Sequence, residues 1–190
     1  MAEITYREAL KRAMREEMLR DKAVVIWGED IVAYGGGGAY GVTAGLAKEF
    51  PGRVRDVPIA EEAIIGVGVG AAMGGMRPIC EIMTVNFTLV AWDQIVNHAA
   101  KQQHMFNGNI KVPMVIRTPN GFGRTGATHS QNFDAWFAHV PGLKVVAPST
   151  PYDAKGLLKT AIRDNDPVVF LEHLALYGTK GEVPDEEYTV

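Results

Sequence analysis

Cysteine is nearly absent from this chain, whose 190 residues include a single one, Cys80. One thiol excludes a disulfide framework within the chain and is typical of a protein from a reducing compartment. Cys80 stands among apolar residues of a predicted strand, which favours a buried structural thiol over a reactive one. Stability must therefore come from a hydrophobic core, which a chain with 47% hydrophobic residues can build.

Long apolar runs and a basic stripe are missing as well. No apolar segment reaches the roughly 18 residues that a membrane span needs, and the N-terminus lacks the basic and apolar regions of a secretory signal. The 19 basic and 22 acidic residues are scattered and give a net charge of −3, unlike a nucleic-acid-binding surface. We therefore expect no membrane and no nucleic-acid partner. We also expect a cytoplasmic protein of a bacterium or, as the alternative, an organellar matrix protein after removal of a transit peptide.

Strand-like and helix-like segments alternate along the chain. Residues 23–27 form a short apolar run typical of a buried parallel strand, and further strands are predicted at 53–57, 78–83, 113–117, 143–147 and 168–172. Helical patterns occur at 5–20, 61–74, 89–104, 132–138 and 152–163, with Thr5 and Thr150 as predicted N-caps. The series predicts an α/β fold in which helices cover both faces of a parallel sheet. In such folds ligands bind beyond the carboxyl ends of the strands.

An acidic pair opens the helix that is predicted at residues 61–74. Glu61 and Glu62 occupy its first turn, where the helix dipole favours negative charge. Gly66, Gly70 and Gly74 then recur every four residues and share one helix face. Each internal glycine costs a helix about 1 kcal/mol relative to alanine. The pattern therefore indicates that another backbone, from a partner subunit, packs closely on this face. Taken alone, Glu61 is equally an ordinary complement to the helix dipole.

Two glycine-rich loops, at 35–38 and 119–126, interrupt the alternation of strands and helices. Neither loop ends in the Gly-Lys-Ser or Gly-Lys-Thr sequence of a P-loop, so phosphate binding is the weaker interpretation. We expect both to be mobile loops at a cofactor edge or at a subunit seam.

Several separate motifs, spread almost from end to end, resemble one enzyme family. They include the sequences Arg77-Pro78-Ile79-Cys80-Glu81, Met83-Thr84-Val85-Asn86-Phe87, Pro119-Asn120-Gly121 and His129-Ser130-Gln131. The chain resembles the beta subunit of the thiamine-diphosphate-dependent decarboxylase component of 2-oxo acid dehydrogenase complexes, with the pyruvate dehydrogenase branch nearest. The resemblance implies a transketolase-like pyrimidine-binding domain at residues 1–180. Residues 181–190 would begin a linker to a carboxyl-terminal domain that is absent.

The resemblance also implies a cofactor site. Glu61 corresponds to the family's carboxylate that pairs with the pyrimidine ring of thiamine diphosphate, and Phe87 to the aromatic residue against that ring. His129 corresponds to the active-site histidine that acts on the substrate intermediate, a role that suits an imidazole. Further cofactor contacts are implied at Ile59 and Met83. Without the resemblance, Phe87 is equally a core residue and His129 a solvated loop residue.

Two more acids correspond to family positions that line a passage between paired active sites, namely Glu29 and Asp93. In related enzymes a further acid often stands three residues before Asp93, and here Val90 replaces it. The replacement leaves the passage less acidic and weakens the case for proton relay through this chain.

A potassium site is implied at the carboxyl end of the last predicted helix. The family's ligands correspond to the backbone carbonyls of Met114, Ala161, Ile162, Asp164 and Asp166. An ordinary C-terminal helix turn explains these residues nearly as well.

Thiamine enzymes hold the diphosphate through magnesium with a Gly-Asp-Gly motif, which this sequence lacks. In the family an alpha subunit supplies it, so the resemblance implies a composite active site. The implied partners are that alpha subunit, a second beta subunit, a lipoyl acyltransferase core and a small 2-oxo acid. The expected activity is oxidative decarboxylation of pyruvate with acetyl transfer to lipoyl groups. An acetoin or branched-chain 2-oxo acid enzyme, or a non-catalytic assembly domain, are the alternatives.

Overall fold

The computed structural model describes residues 1–33, 36–120 and 126–190. Parts of the two predicted glycine-rich loops, namely Gly35 and residues 121–125, lie outside these ranges. Their predicted mobility therefore stays a prediction.

Within these ranges the chain forms eight strands: β1 (Ala2–Thr5), β2 (Val24–Gly28), β3 (Val54–Asp56), β4 (Arg77–Glu81), β5 (Val115–Asn120), β6 (Lys144–Val146), β7 (Val168–His173) and β8 (Lys180–Val183). Strands β2 to β7 pair in parallel in the order β3-β2-β4-β5-β7-β6, which confirms the predicted parallel sheet. Strands β1 and β8 form a separate antiparallel pair that the sequence did not predict. Both are short and partly polar, so they lack an apolar run such as the one that marks β2.

The helices are α1 (Tyr6–Arg20), α2 (Leu46–Glu49), α3 (Glu61–Met73), α4 (Gln102–Met105), α5 (Asp134–Ala138) and α6 (Pro151–Arg163). Two predicted N-caps are confirmed. The Thr5 hydroxyl accepts the Glu8 amide at 3.2 Å, and the Thr150 hydroxyl accepts the Asp153 amide at 3.1 Å. Side-chain caps of this kind satisfy amides that have no partner inside the helix.

The helix predicted at 89–104 is wrong as a single α-helix. The segment contains a 3₁₀ turn (Val85–Leu89), a π-helical turn (Gln94–Ala99) and the short α4. Ala91, Ile95 and Ala99 are buried at four-residue intervals, a spacing typical of a helix. Apolar spacing reports which face is buried but does not distinguish α-helical from π-helical hydrogen bonding.

Alternate strand residues point to two cores on opposite faces of the sheet. In β2, Val24 and Ile26 pack with α1 and α6, whereas Val25 and Trp27 pack with α3 and α5. Cys80 is fully buried in the second core, as predicted. Helices therefore cover both faces, and the segments that follow β2, β4 and β5 meet at the carboxyl edge of the sheet.

A row of charged side chains crosses the first core. Glu81 of β4, Arg117 of β5 and Glu172 of β7 are all buried. Arg117 donates from Nη1 and Nη2 to Glu81 Oε2 at 2.9 and 2.8 Å, and its Nε lies 3.0 Å from Glu172 Oε1. The Tyr177 hydroxyl donates to the other oxygen of Glu172. One cation thus serves two carboxylates away from water.

Burial gives Glu81 an unusual titration. It raises the pKa of Glu81 to about 7, because loss of hydration outweighs the opposing effect of Arg117 and the negative charge of Glu172 adds to the rise. The backbone of Gly38 closes over this carboxylate at a φ of +67°, and a Cβ there would lie 2.8 Å from Glu81 Oε1. Glycine is therefore required at this point of the loop.

Candidate active site

Glu61 is the first residue of α3, which follows β3 through a four-residue connection. Only 8% of Glu61 is exposed. Glu29 directly follows β2 and is half-buried. Burial raises the pKa of Glu29, and the negative charges of Asp30 and Glu61 raise it further. The structure therefore brings these predicted site carboxylates close enough to repel one another at the edge of the sheet.

An aspartate at the end of β3 holds the segment that follows Glu29. The two carboxylate oxygens of Asp56 accept the backbone amides of Val32 at 2.6 Å and Ala33 at 2.8 Å. Asp30, between them and Glu29, has a positive φ of 56°. Sequence analysis missed Asp56, because a lone acid at a strand end gives no signal until the segment it binds is known.

Phe87 and His129 are brought together from separate loops. Phe87 lies in the 3₁₀ turn after β4, and His129 ends a second 3₁₀ turn (Ala127–His129) after β5. Their ring centroids are 5.2 Å apart and the rings meet edge to face at 84°. The Thr128 hydroxyl lies 2.9 Å from His129 Nδ1. Both rings are half-buried, so each keeps surface for a ligand.

Two side-chain amides secure the segment that carries His129. Asn86 Nδ2 donates to Gln131 Oε1 at 2.7 Å, and Asn120 Nδ2 donates to Asp134 Oδ1 at 2.6 Å. Asn86, Asn120 and Gln131 belong to the motifs that resemble the family, but no role was predicted for them. Asn86 and Gln131 carry a sequence signal, because they lie one residue before Phe87 and two residues after His129, whereas Asn120 lies nine residues before His129.

The other predicted cofactor residues lie at the margin of this arrangement. Ile59 is 74% exposed two residues before Glu61, and Met83 is half-buried after β4. Asp93 is exposed and accepts Asn97 Nδ2 at 2.7 Å.

Helix α3 packs closely against the sheet at a glycine outside the predicted series. The tightest glycine contact of this helix lies at Gly68, where a Cβ would stand 2.5 Å from Cys80 Sγ and 2.9 Å from the Met114 methyl. A Cβ at Gly70 would meet nothing within 4 Å, and Gly74 follows the end of α3. Close packing inside the chain therefore falls on Gly68 and the sheet. The predicted approach of a partner to the other face stays a prediction.

The outer face of α3 is apolar. Val67 and Met73 are exposed there, and Ile59 and Met76 are exposed in the segments before and after the helix. A groove of about 670 Å³ runs between α3 and the strand β3, with Trp27 and Val67 among its apolar lining residues. An apolar surface of this kind is typical of an interaction site.

The predicted potassium carbonyls face another cation. Arg77 Nη1 donates to the carbonyl oxygens of Ile162 at 3.0 Å and Asp164 at 2.8 Å, while the Met114 carbonyl accepts the Val168 amide at 2.9 Å. Two of the predicted ligands thus converge on a positive charge. A carbonyl oxygen has two lone pairs, so these contacts leave capacity for a second partner.

Across residues 1–33, 36–120 and 126–190, no group of three His, Cys, Asp or Glu side chains is arranged to hold a metal ion. Over the same ranges, no helix has the length and apolar character of a membrane span.

Comparison with known proteins gives a family match over residues 2–180, to the family described as transketolase, pyrimidine binding domain. The pyruvate dehydrogenase E1 component subunit beta of Rickettsia felis is 54% identical over 185 residues, which are 96% of this chain and 56% of that protein. The acetoin:2,6-dichlorophenolindophenol oxidoreductase subunit beta of Cupriavidus necator is 50% identical, over 96% of this chain and 56% of that protein. The chain thus spans little more than half the length of either relative.

A solved structure described as a split gene transketolase, inactive beta4 tetramer, superposes with a TM-score of 0.77. Its sequence is 22% identical, and the match covers 98% of this chain and 56% of that chain. At this identity the likeness supports the fold alone.

Proposed function

The chain belongs to the family of transketolase pyrimidine-binding domains, and from that premise we propose that it supplies the pyrimidine half of a thiamine diphosphate site. The whole enzyme would be the decarboxylase component of a pyruvate dehydrogenase. The observation that carries the proposal is Glu61, a buried carboxylate that opens a helix at the carboxyl edge of the sheet. A carboxylate held out of water is suited to exchange a proton with a ring nitrogen.

Each of the three central residues has a task in this proposal. Glu61 holds the pyrimidine ring nitrogen through its carboxyl group. Phe87 offers the ring a half-buried aromatic surface, and His129 holds or moves a proton at the substrate. Thiamine diphosphate, when bound, supplies a thiazolium carbon that adds to a 2-oxo group and accepts the electrons released by decarboxylation. The peripheral residues Ile59 and Met83 would complete the cofactor contacts.

The diphosphate end of the cofactor needs groups from outside this chain. We propose that an alpha subunit holds magnesium and the diphosphate, because the Gly-Asp-Gly motif is missing from the sequence. The exposed apolar residues on the outer face of α3 support a partner there. Glu29 and Asp93 would line a passage to a second active site, which a second beta subunit would help to form. The negative charge of Glu61 acts on Glu29 at the start of this passage.

Pyruvate is the proposed substrate and the lipoyl groups of an acyltransferase core the proposed acceptor, in a bacterial cytoplasm or an organellar matrix. The relative from Rickettsia felis supports this choice. The acetoin-oxidising relative, nearly as similar, makes acetoin the second candidate. The residue boundary of the domain near 180 is part of the same proposal.

Potassium at the carbonyls of Met114, Ala161, Ile162, Asp164 and Asp166 is a further element of the proposal. The convergence of Ile162 and Asp164 on Arg77 supports a cation-attracting turn, and potassium would share these two oxygens with the guanidinium group.

Calorimetric titration tests the half-site directly. With magnesium present, thiamine diphosphate should bind the chain weakly or not at all alone, and should bind with micromolar or better affinity after an alpha subunit is added. Charge-assisted contacts to the diphosphate carry much of such an affinity, and the proposal assigns them to the alpha subunit. Micromolar binding by the monomeric chain alone would overturn the half-site.

A further inference from the structure

The segment that carries His129 is tied to the rest of the fold at two points. The Asn120–Asp134 contact joins the end of β5 to the start of α5. It thereby brings together the two ends of the connection that contains His129. The Asn86–Gln131 contact joins the same connection to the 3₁₀ turn that carries Phe87.

The Asn86–Gln131 contact lies where it can hold the rings of Phe87 and His129 together. Asn86 immediately precedes Phe87, and Gln131 lies two residues after His129. The 2.7 Å hydrogen bond between the two amides therefore runs beside the 5.2 Å contact between the two rings. Only 8% of Asn86 is exposed, and a hydrogen bond from a buried group is stronger than one in water.

Two other contacts among the described residues of this segment are local. The Ser130 hydroxyl donates to the Gly126 carbonyl, and the Thr128 hydroxyl lies beside the ring of the next residue. These contacts shape the turn but move with it. The Asn86–Gln131 bond instead crosses between two elements, so it fixes where the turn lies relative to Phe87.

We propose that Asn86 and Gln131 are positioning residues that hold the His129 imidazole against Phe87 in the geometry needed for acyl transfer. The inference rests on the proposed function of His129, but the contact itself can be tested without turnover. Displacement of a reacting group by about 1 Å is enough to cost on the order of 100-fold in rate.

The chain offers a matched pair of variants at Gln131, which is exposed, so that its replacement should change the stability of the fold little. Gln131→Met keeps the length of the side chain and removes the acceptor. Gln131→Glu keeps an oxygen that accepts from Asn86. Gln131→Met should break the contact with Asn86, and Gln131→Glu should keep it.

Nuclear magnetic resonance of the histidine rings in the 190-residue chain measures the geometry. The Phe87 ring shifts the His129 ring protons, and that shift should be lost in Gln131→Met and kept in Gln131→Glu. In a complex reconstituted with an alpha subunit, Gln131→Met should slow transfer to a lipoyl acceptor at least tenfold, with thiamine diphosphate affinity within about threefold of wild type. Gln131→Glu should transfer within about threefold of wild type.

An unchanged His129 shift in Gln131→Met would overturn the positioning role. So would a lost shift with unchanged transfer, because the position of His129 would then not matter to the reaction. A wild-type complex that shows no transfer at all would instead contradict the proposed function. The ring shifts would then decide the contact by themselves.

Discussion

Replacement of Glu81 by glutamine should remove much of the pH dependence of stability above pH 4.5. Glu81 is buried against Arg117, and its pKa rises from an ordinary 4.5 to about 7 in the folded chain. Because the folded state holds this proton more tightly than the unfolded state, the stabilisation is complete below pH 4.5. It is lost as the pH rises through 7.

The size of the effect follows from the shift. Each pKa unit corresponds to about 1.4 kcal/mol, so the free energy of unfolding should fall by about 3 kcal/mol between pH 4.5 and pH 8 through Glu81 alone. Glutamine at this position does not titrate. Arg117, Glu172 and Tyr177 remain in both proteins, so the difference between wild type and Glu81→Gln isolates the contribution of Glu81.

Urea unfolding at pH 5, 6, 7 and 8, followed by tryptophan fluorescence, measures that difference. The wild type should lose stability relative to Glu81→Gln as the pH rises, with the steepest change between pH 5 and pH 7 and little further change above pH 8. Glu62→Gln, which removes an exposed carboxylate, controls for the loss of an acid as such. If the free energy of unfolding changed with pH by the same amount in wild type and Glu81→Gln, the raised pKa of Glu81 and the burial that causes it would be refuted.

Three further predictions use other parts of the structure. Arg117→Met should lower the free energy of unfolding by about 3–5 kcal/mol in urea at pH 7, because two buried carboxylates lose their cation; a loss under 1 kcal/mol would contradict this. Gly68→Ala should destabilise the chain by about 1–3 kcal/mol through overpacking, whereas Gly70→Ala should stabilise it by about 0.5–1 kcal/mol and weaken assembly with an alpha subunit; equal effects in urea unfolding would speak against the packing described. His129→Ala should leave thiamine diphosphate affinity within a few-fold and impair lipoyl transfer; restoration of transfer by excess cofactor would exclude the proposed role.

The parallel sheet could be predicted because most of its strands contain a short apolar run and alternate along the chain with helical patterns. Strands β1 and β8 could not, since their pairing joins residues from opposite ends of the chain. The buried charge row was hidden for a similar reason. Glu81 and Arg117 are 36 residues apart, and neither strand shows by itself that the charges meet.

The candidate site, too, could be predicted from the sequence only in part. Resemblance to a family pointed to Glu61, Phe87 and His129, and the structure brings the last two rings into contact. The glycine spacing on α3 was correct as a helical pattern, and the partner backbone that it predicts on that face stays a prediction. Gly68 faces the sheet, and only the rotation of α3 about its axis reveals which glycine does so.

The role of Glu61 in cofactor activation is the central claim. Its most direct test is the exchange of the thiazolium proton of thiamine diphosphate, followed by nuclear magnetic resonance after quenched mixing in deuterium oxide. The complex is reconstituted from this chain, an alpha subunit and magnesium. Glu61→Gln keeps the shape of the side chain and removes the ionisable proton. Exchange should slow by at least about 100-fold, the usual scale for a positioned acid–base group. Exchange at the wild-type rate, with the cofactor bound, would contradict the claim.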